Sequence, residues 1–132
     1  MSGLVLKLAP KERVLINGAV IENGDRRGRL SIVTPNAQIL RLRDAIHPDQ
    51  ANTPVRRTAY IAQLVLSGDM EAEEAKKALL RGIEQLSQAL RDSDSRRQLD
   101  LATEAALDGQ FYQVLKALRT LFPREERLLA GT

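Results

Sequence analysis

The sequence contains no cysteine, no tryptophan and a single histidine. Without cysteine there can be no disulfide framework, no zinc ribbon and no thiol nucleophile. Aromatics are nearly as scarce: Tyr60, Phe111, Tyr112 and Phe122 are the whole set, and none falls in the first 59 residues. A core must therefore be built from Leu, Ile, Val and Ala, and the amino-terminal half has no ring on which to stack a base. No apolar run approaches the roughly 18 residues that span a bilayer. The opening MSGLVLKLAP is short for a secretory signal, and its one charge lies inside the apolar stretch. These absences point to a cytoplasmic protein with no membrane partner.

Catalytic constellations are missing too. His47 stands in the polar connector segment 44–54, and nothing resembles the G-x-S-x-G elbow that a histidine-assisted serine would need. His47 therefore reads as a solvated loop residue. Glu71, Glu73 and Glu74 could suggest a metal site, but they occupy a first helical turn, where carboxylates favour the positive end of the helix dipole. No histidine follows at the i+3 or i+4 spacing of a bundle metal site. No glycine-rich phosphate loop occurs. The expectation is a protein that is not an enzyme and carries no metal or cofactor.

Charge is present, and unevenly spread. Residues 1–60 hold ten Lys and Arg against five Asp and Glu, whereas residues 61–132 hold ten against twelve. The basic excess lies wholly in the first half, where a polyanion would dock.

That half reads as strands. LVLKL, RVLIN, AVIEN, RLSIVT and AQILRLR are leucine-rich or β-branched, and Gly, Asn, Asp or Pro separates most of them. Asn17-Gly18 and Asn23-Gly24 are both candidates for tight hairpin turns, because each residue tolerates positive φ. Thr34-Pro35-Asn36 predicts a further turn. The expectation is four or five short antiparallel strands in a meander or barrel-like module over residues 1–47.

From residue 48 the periodicity becomes helical. Thr53-Pro54 reads as an N-cap followed by proline at the first helical position, opening a helix over 54–67 stopped by Gly68. Asp69 predicts the cap of a second helix, in which Ala72, Ala75, Leu79, Ile83, Leu86 and Leu90 recur at helical spacing. Asp94 or Ser95 predicts the cap of a third, ending near Asp108-Gly109. A fourth aligns Phe111, Val114, Leu115, Leu118 and Phe122 and is closed by Pro123, with a last turn or two after it. The fold class is α+β: a basic strand module over residues 1–47, then a bundle of about four helices over residues 48–132, packed as one domain.

The basic residues are the candidate site. Arg26, Arg27 and Arg29 cluster after the second Asn-Gly, with Asp25 and Gly28 among them, and Lys11 and Arg13 flank the first corner. Arg41 and Arg43 are two apart and share a strand face; Arg56 and Arg57 open the first helix. Guanidinium groups offer planar forks to phosphates. Arg56, Tyr60, Gln63 and Ser67 form one helical row, read here as the outward face of an ordinary helix.

Four segments then stand in an order and spacing that resembles the FlbT family, the flagellin-synthesis regulators of alphaproteobacteria: LKLAPKE (6–12), INGAVIENGDRRG (16–28), ILR (39–41) and PDQANTPVR (48–56). The resemblance implies a cytoplasmic post-transcriptional regulator acting at the 5′ untranslated region of flagellin mRNA, lowering translation or message lifetime in concert with FlaF. It leaves open whether a protein at a leader blocks or promotes expression. It carries no catalytic residue. The motif it transfers is Asn17, Gly18, Asn23, Gly24, Asp25, Arg26, Arg27, Gly28, Arg41, Pro48 to Gln50, Thr53, Pro54 and Arg56.

Two readings follow. In one, the basic module binds the message leader through phosphates, with Gly24 and Gly28 allowing close backbone approach. In the other, the helices engage FlaF or flagellin as an adaptor or chaperone-like protein, and any effect on mRNA is indirect. Exposed edges of a small sheet also suit a homodimer.

Overall fold

The computed structural model describes residues 4–35 and 37–131. Five short strands come first: β1 (Leu4–Leu8), β2 (Arg13–Ile16), β3 (Ala19–Glu22), β4 (Gly28–Ile32) and β5 (Ile39–Arg41). Five helices follow: α1 (Pro54–Leu66), α2 (Ala72–Ala89), α3 (Ser93–Leu107), α4 (Phe111–Arg119) and α5 (Phe122–Ala130). The α+β order read from the sequence stands. The strands do not close into a barrel, however. They form a two-stranded ribbon, β1 with β4, and a separate three-stranded sheet in the order β3-β2-β5, antiparallel throughout.

Alternation explains how the layers stack. On the ribbon, Leu4, Leu6 and Leu8 turn inward with Leu30 and Ile32, while Val5, Lys7, Arg29 and Ser31 are exposed. The inward set meets Val14, Ile16 and Ile39 from one face of the sheet. The opposite face supplies Leu15 and Leu40 to the helical core. The sheet is thus the middle layer, with the ribbon outside it and the helices beneath. Edge strand β3 is exposed at all four residues.

Of the two Asn-Gly pairs, one is a hairpin turn. Asn17 and Gly18 have φ of 48° and 85° and join β2 to β3 across the pair Ile16↔Ala19, as a type I′ turn requires. Asn23-Gly24 has no positive φ; it extends the hairpin, with Asn23 N–H donating to the Glu12 carbonyl and Gly24 accepting from Lys11 N–H, both at 2.8 Å. The turn expected at Thr34-Pro35-Asn36 reaches Asn36, which lies outside the described residues. AQILRLR is strand only over Ile39–Arg41 before a 3-10 turn at Leu42–Asp44.

The helices α1 to α4 close a ring in which α1 touches α2 and α4, and α3 touches the same two. Loops of three to five residues join consecutive members, the length that makes neighbours antiparallel. Leu66, Leu79, Leu115 and Leu118 are the largest wholly buried side chains of the ring. Truncating any one to alanine would cost about 2–5 kcal/mol.

Three boundaries differ from the sequence reading. Asp69 does not cap α2. Its N–H bonds the Leu64 carbonyl at 2.7 Å while Gly68, at φ +85°, bonds Val65 at 3.0 Å, so Asp69 completes the hydrogen-bonded end of α1. Asp92, not Asp94 or Ser95, caps α3, accepting from Ser95 N–H at 3.0 Å. Pro123 opens a helix instead of closing one: α4 ends at Arg119, and proline's missing N–H sits at no cost in the first turn of α5.

Candidate nucleic-acid interface

The nine candidate cations do not share one fate. Arg41 is committed inward. Its Nε donates to Glu12 Oε2 at 2.8 Å, one terminal nitrogen donates to Glu12 Oε1 at 3.0 Å, and the same nitrogen donates to the Lys7 carbonyl. Glu12 also accepts from Ala9 N–H at 2.9 Å, and its side chain is only 4% exposed. This cluster ties β5 of the sheet to β1 of the ribbon. Arg41 thus serves as a clamp between layers, and its charge is cancelled where it sits. The Arg41 hydrogen bonds, helped by Ala9 N–H and the nearby Arg43 charge, hold the Glu12 carboxyl at about 2 against the opposing pull of burial.

Asn23 is a second knot. Its side-chain amide donates to the carbonyls of Ala9 and Arg26 at 2.8 Å each, and more weakly to Leu8 at 3.5 Å. Gly28 is small because of it: a Cβ there would stand 3.2 Å from Asn23 Oδ1. The glycine therefore makes room for a side chain of this protein. No atom lies within 4 Å of the corresponding position at Gly24.

Other cations are paired at the surface. Lys11 meets Asp25 at 2.9 Å, and Arg13 meets its cross-strand neighbour Glu22 at 2.9 Å. Arg56 meets Glu126 at 2.6 Å and lies over the Phe122 ring, 4.5 Å from its centre. The row Arg56, Tyr60, Gln63 and Ser67 is not the outward face expected of it, for Gln63 is buried and the other three are half-buried. Gln63 is buried, accepting from Ile46 N–H at 2.6 Å and donating to the Ile46 carbonyl at 2.9 Å. Thr53 caps α1 through Arg56 N–H at 3.2 Å, and Glu125 of α5 reaches the same helix end, accepting from Val55 N–H at 2.9 Å and from the Thr53 hydroxyl. Thr53, Pro54 and Arg56 of the motif thereby build the start of α1. His47 is exposed, its Nδ1 accepting from Asp49 N–H at 3.1 Å within the 3-10 turn Pro48–Gln50.

Arg26, Arg27, Arg29 and Arg57 have no acidic side chain within 4 Å among the described residues. Arg27 and Arg29 line a groove of about 670 Å³ together with Lys7, Arg43, Pro10 and Gly28. Arg43 is half-exposed, 3.5 Å from Glu12, which it shares with Arg41. Lys7 is the member that the residue pattern did not single out. Lys7 and Arg29 stand directly opposite each other in the β1–β4 register. Like charges so placed repel, which costs stability unless an anion lies between them. Only the strand register brings Lys7 to this site, and nothing local in LVLKL announces it. Arg57 belongs elsewhere, in a groove between α1 and α2.

A groove lined by four cations and by no aromatic ring can hold successive phosphates and can read shape, and its lining offers no ring on which to stack a base.

Comparison with known proteins covers nearly the whole chain. The family model described as "Flagellar protein FlbT" matches residues 4–129. A Mesorhizobium japonicum protein, named "Probable flagellum biosynthesis repressor protein FlbT", is 32% identical over 128 residues, covering 97% of this chain and 86% of its own. A Rhodopseudomonas palustris protein of the same name is 34% identical over 128 residues, covering 96% and 98%. The Caulobacter vibrioides "Flagellum biosynthesis repressor protein FlbT" is 28% identical over 126 residues, covering 96% and 89%. No solved structure matches. With the family model spanning nearly every residue, the chain belongs to the FlbT family of flagellar proteins.

Proposed function

We propose that this chain is a non-catalytic repressor of flagellum biosynthesis that works in the cytoplasm by binding the 5′ untranslated region of flagellin mRNA, lowering its translation or its lifetime. The relatives' printed names support the repressor role. The observation that carries the RNA reading is the groove in which Lys7 opposes Arg29 beside Arg27 and Arg43. A phosphodiester lodged there would relieve the repulsion across the ribbon. Of the four cations only Arg43 has a carboxylate nearby, Glu12 at 3.5 Å, so Lys7, Arg27 and Arg29 are left for a polyanion to neutralise.

The contact set is Lys7, Arg27, Arg29 and Arg43, with Arg26 at the adjoining bend. Arg41 and Arg56 are committed to partners within the fold, and Lys11 and Arg13 to surface carboxylates. Four phosphate contacts predict affinity that falls with salt at a log–log slope of about −3. Reversing two of them, Arg27→Glu with Arg29→Glu, should weaken binding to a flagellin leader by about tenfold or more at low salt. Gel-shift titrations over a salt series read both quantities. Unchanged affinity in the double variant, or a slope near zero, would remove this groove from the reading.

A further inference from the structure

The bundle leaves a second groove on its outside, between α1 and α2, of about 470 Å³. Its floor is apolar and small, with Ile61 from one wall and Ala78, Gly82 and Leu86 from the other. Gly82 sets the spacing of the walls. A Cβ at this position would stand 2.9 Å from the Thr58 hydroxyl oxygen and 3.0 Å from its methyl, so α1 and α2 approach closely because residue 82 has no side chain.

Arg57 stands on the α1 wall and Arg81 on the α2 wall. Neither has an acidic side chain within 4 Å among the described residues, and no carboxylate lines the groove. Three other helix arginines are spent on acids, Arg56 on Glu126, Arg119 on Asp44 and Arg124 on Asp92, whereas Arg96 and Arg97 of α3, like Arg57 and Arg81, have none within 4 Å among the described residues. The outer groove between α3 and α4 differs, for Glu104, Asp108 and Lys116 mix both signs along it. The α1–α2 groove has its cations on both walls and no carboxylate among its lining residues, whereas the α3 groove that holds Arg96 and Arg97 also holds Asp100 and Glu104.

We infer that the α1–α2 groove is a docking site for an acidic amphipathic helix of a protein partner. A third helix laid between two antiparallel ones puts its apolar stripe on Ile61, Ala78 and Ala89. Its flanking carboxylates then meet a guanidinium on each side, as charge-assisted and, in favourable geometry, bidentate pairs. A nucleic acid fits less well, because Ile61 and the alanines would face phosphate and sugar across apolar surface. The inference stands apart from the ribbon groove and does not require it.

The test uses the full chain and a fluorescein-labelled 18-residue peptide, with leucine and alanine at i, i+4 and i+7 and glutamate elsewhere. Two controls accompany it: a scrambled peptide of equal composition and one with lysine for glutamate. Fluorescence anisotropy should show saturable binding of the first peptide only. Arg81→Glu should weaken it at least threefold, and Arg57→Glu with Arg81→Glu at least tenfold, while Arg81→Glu leaves affinity for the flagellin leader unchanged. Circular dichroism melts confirm that both variants fold. No binding by the first peptide, equal binding by the scrambled one, or indifference to the double reversal would overturn the inference. So would a fall in leader affinity in Arg81→Glu, which would make the groove an RNA contact.

Discussion

In the helical half Leu79, Leu115 and Leu118 are at most 1% exposed and four helices close on one another, whereas the apolar cluster between ribbon and sheet has Leu6, Leu8, Val14 and Ile39 as its buried members. The strand half makes up the difference with polar clamps: Glu12 with Arg41, and Asn23 with three carbonyls. Helices satisfy their own backbones, so side chains are left to pack. Two small sheets that share no strand must be joined by side chains that reach across. The lesson concerns function as much as folding. In such a module an arginine is free to serve a ligand only after the layers have taken theirs, and Arg41 is one that was taken.

The comparison is broken most directly at Glu12. Glu12→Gln removes a buried charge while Arg41 stays in place, and orphaning one member of a buried pair costs about 3–5 kcal/mol. If the strand half depends on its clamps, urea unfolding should show a loss of that order, comparable to Leu118→Ala in the helical core. A loss under 1 kcal/mol would mean that the small apolar cluster suffices.

Acid sharpens the same point. Glu12 titrates at about 2 when folded against an ordinary 4.5, so the folded state holds fewer protons than the unfolded state between those values. The stabilisation is complete above pH 4.5 and is lost as pH falls toward 2. Asp92 in the helical half is likewise lowered to about 2, foremost through Ser95, whose N–H donates to it, and then through Arg124. The wild type should therefore lose stability over this window from both halves. Glu12→Gln should lose visibly less, because one of the two carboxylates is gone. Melting curves from pH 5 to pH 2.5 compare the slopes.

Much of this architecture can be read from residue order alone, and the failures have physical reasons. Strand alternation in LVLKL, the Asn17-Gly18 turn and the glycines that end α1 and α3 are local signals with local causes, and they hold. Asn23-Gly24 misleads because the same dipeptide also suits an asparagine whose amide ties three carbonyls, a use visible only when residues 8, 9 and 26 arrive beside it. DSDS at 92–95 offers four capping side chains in a row, so residue type alone does not single out Asp92, the one that accepts from Ser95 N–H. The site was half legible. Arg27, Arg29 and Arg43 are plain in the sequence as cations, but Lys7 joins them only through register, and Arg41 leaves them only through a partner 29 residues away.

In the helical half the weak point is steric. Gly82→Ala gains about 1 kcal/mol of helix propensity yet drives a methyl against Thr58, a branched side chain whose hydroxyl is bound to the Pro54 carbonyl at 2.8 Å. A net loss of about 1–2 kcal/mol is expected, in keeping with overpacking. Thr58→Ala should restore most of it when combined with Gly82→Ala, since the clash is with that side chain alone. Thermal melts of the two single variants and the double variant complete the cycle. Additive losses would place the strain elsewhere.

The smallest effect lies in the strand half and has the opposite sign. Lys11 holds φ +62° at the third position of the turn Ala9-Pro10-Lys11-Glu12, closed by Glu12 N–H to the Ala9 carbonyl at 3.1 Å. A turn of this shape favours glycine at that position, because a Cβ in the left-handed region costs about 1 kcal/mol. Against this stands the Lys11–Asp25 pair, whose side chains are 65% and 84% exposed. Pairs so open to solvent contribute between nothing and about 1 kcal/mol. Lys11→Gly should therefore raise stability by about 0.5 kcal/mol, less than the strain relieved because glycine also frees the unfolded chain. Since Lys11 lies outside the ribbon groove, leader affinity should hold while the melting temperature climbs slightly. A fall in stability would show that the Lys11–Asp25 pair is one more polar clamp on which this thin-cored half relies.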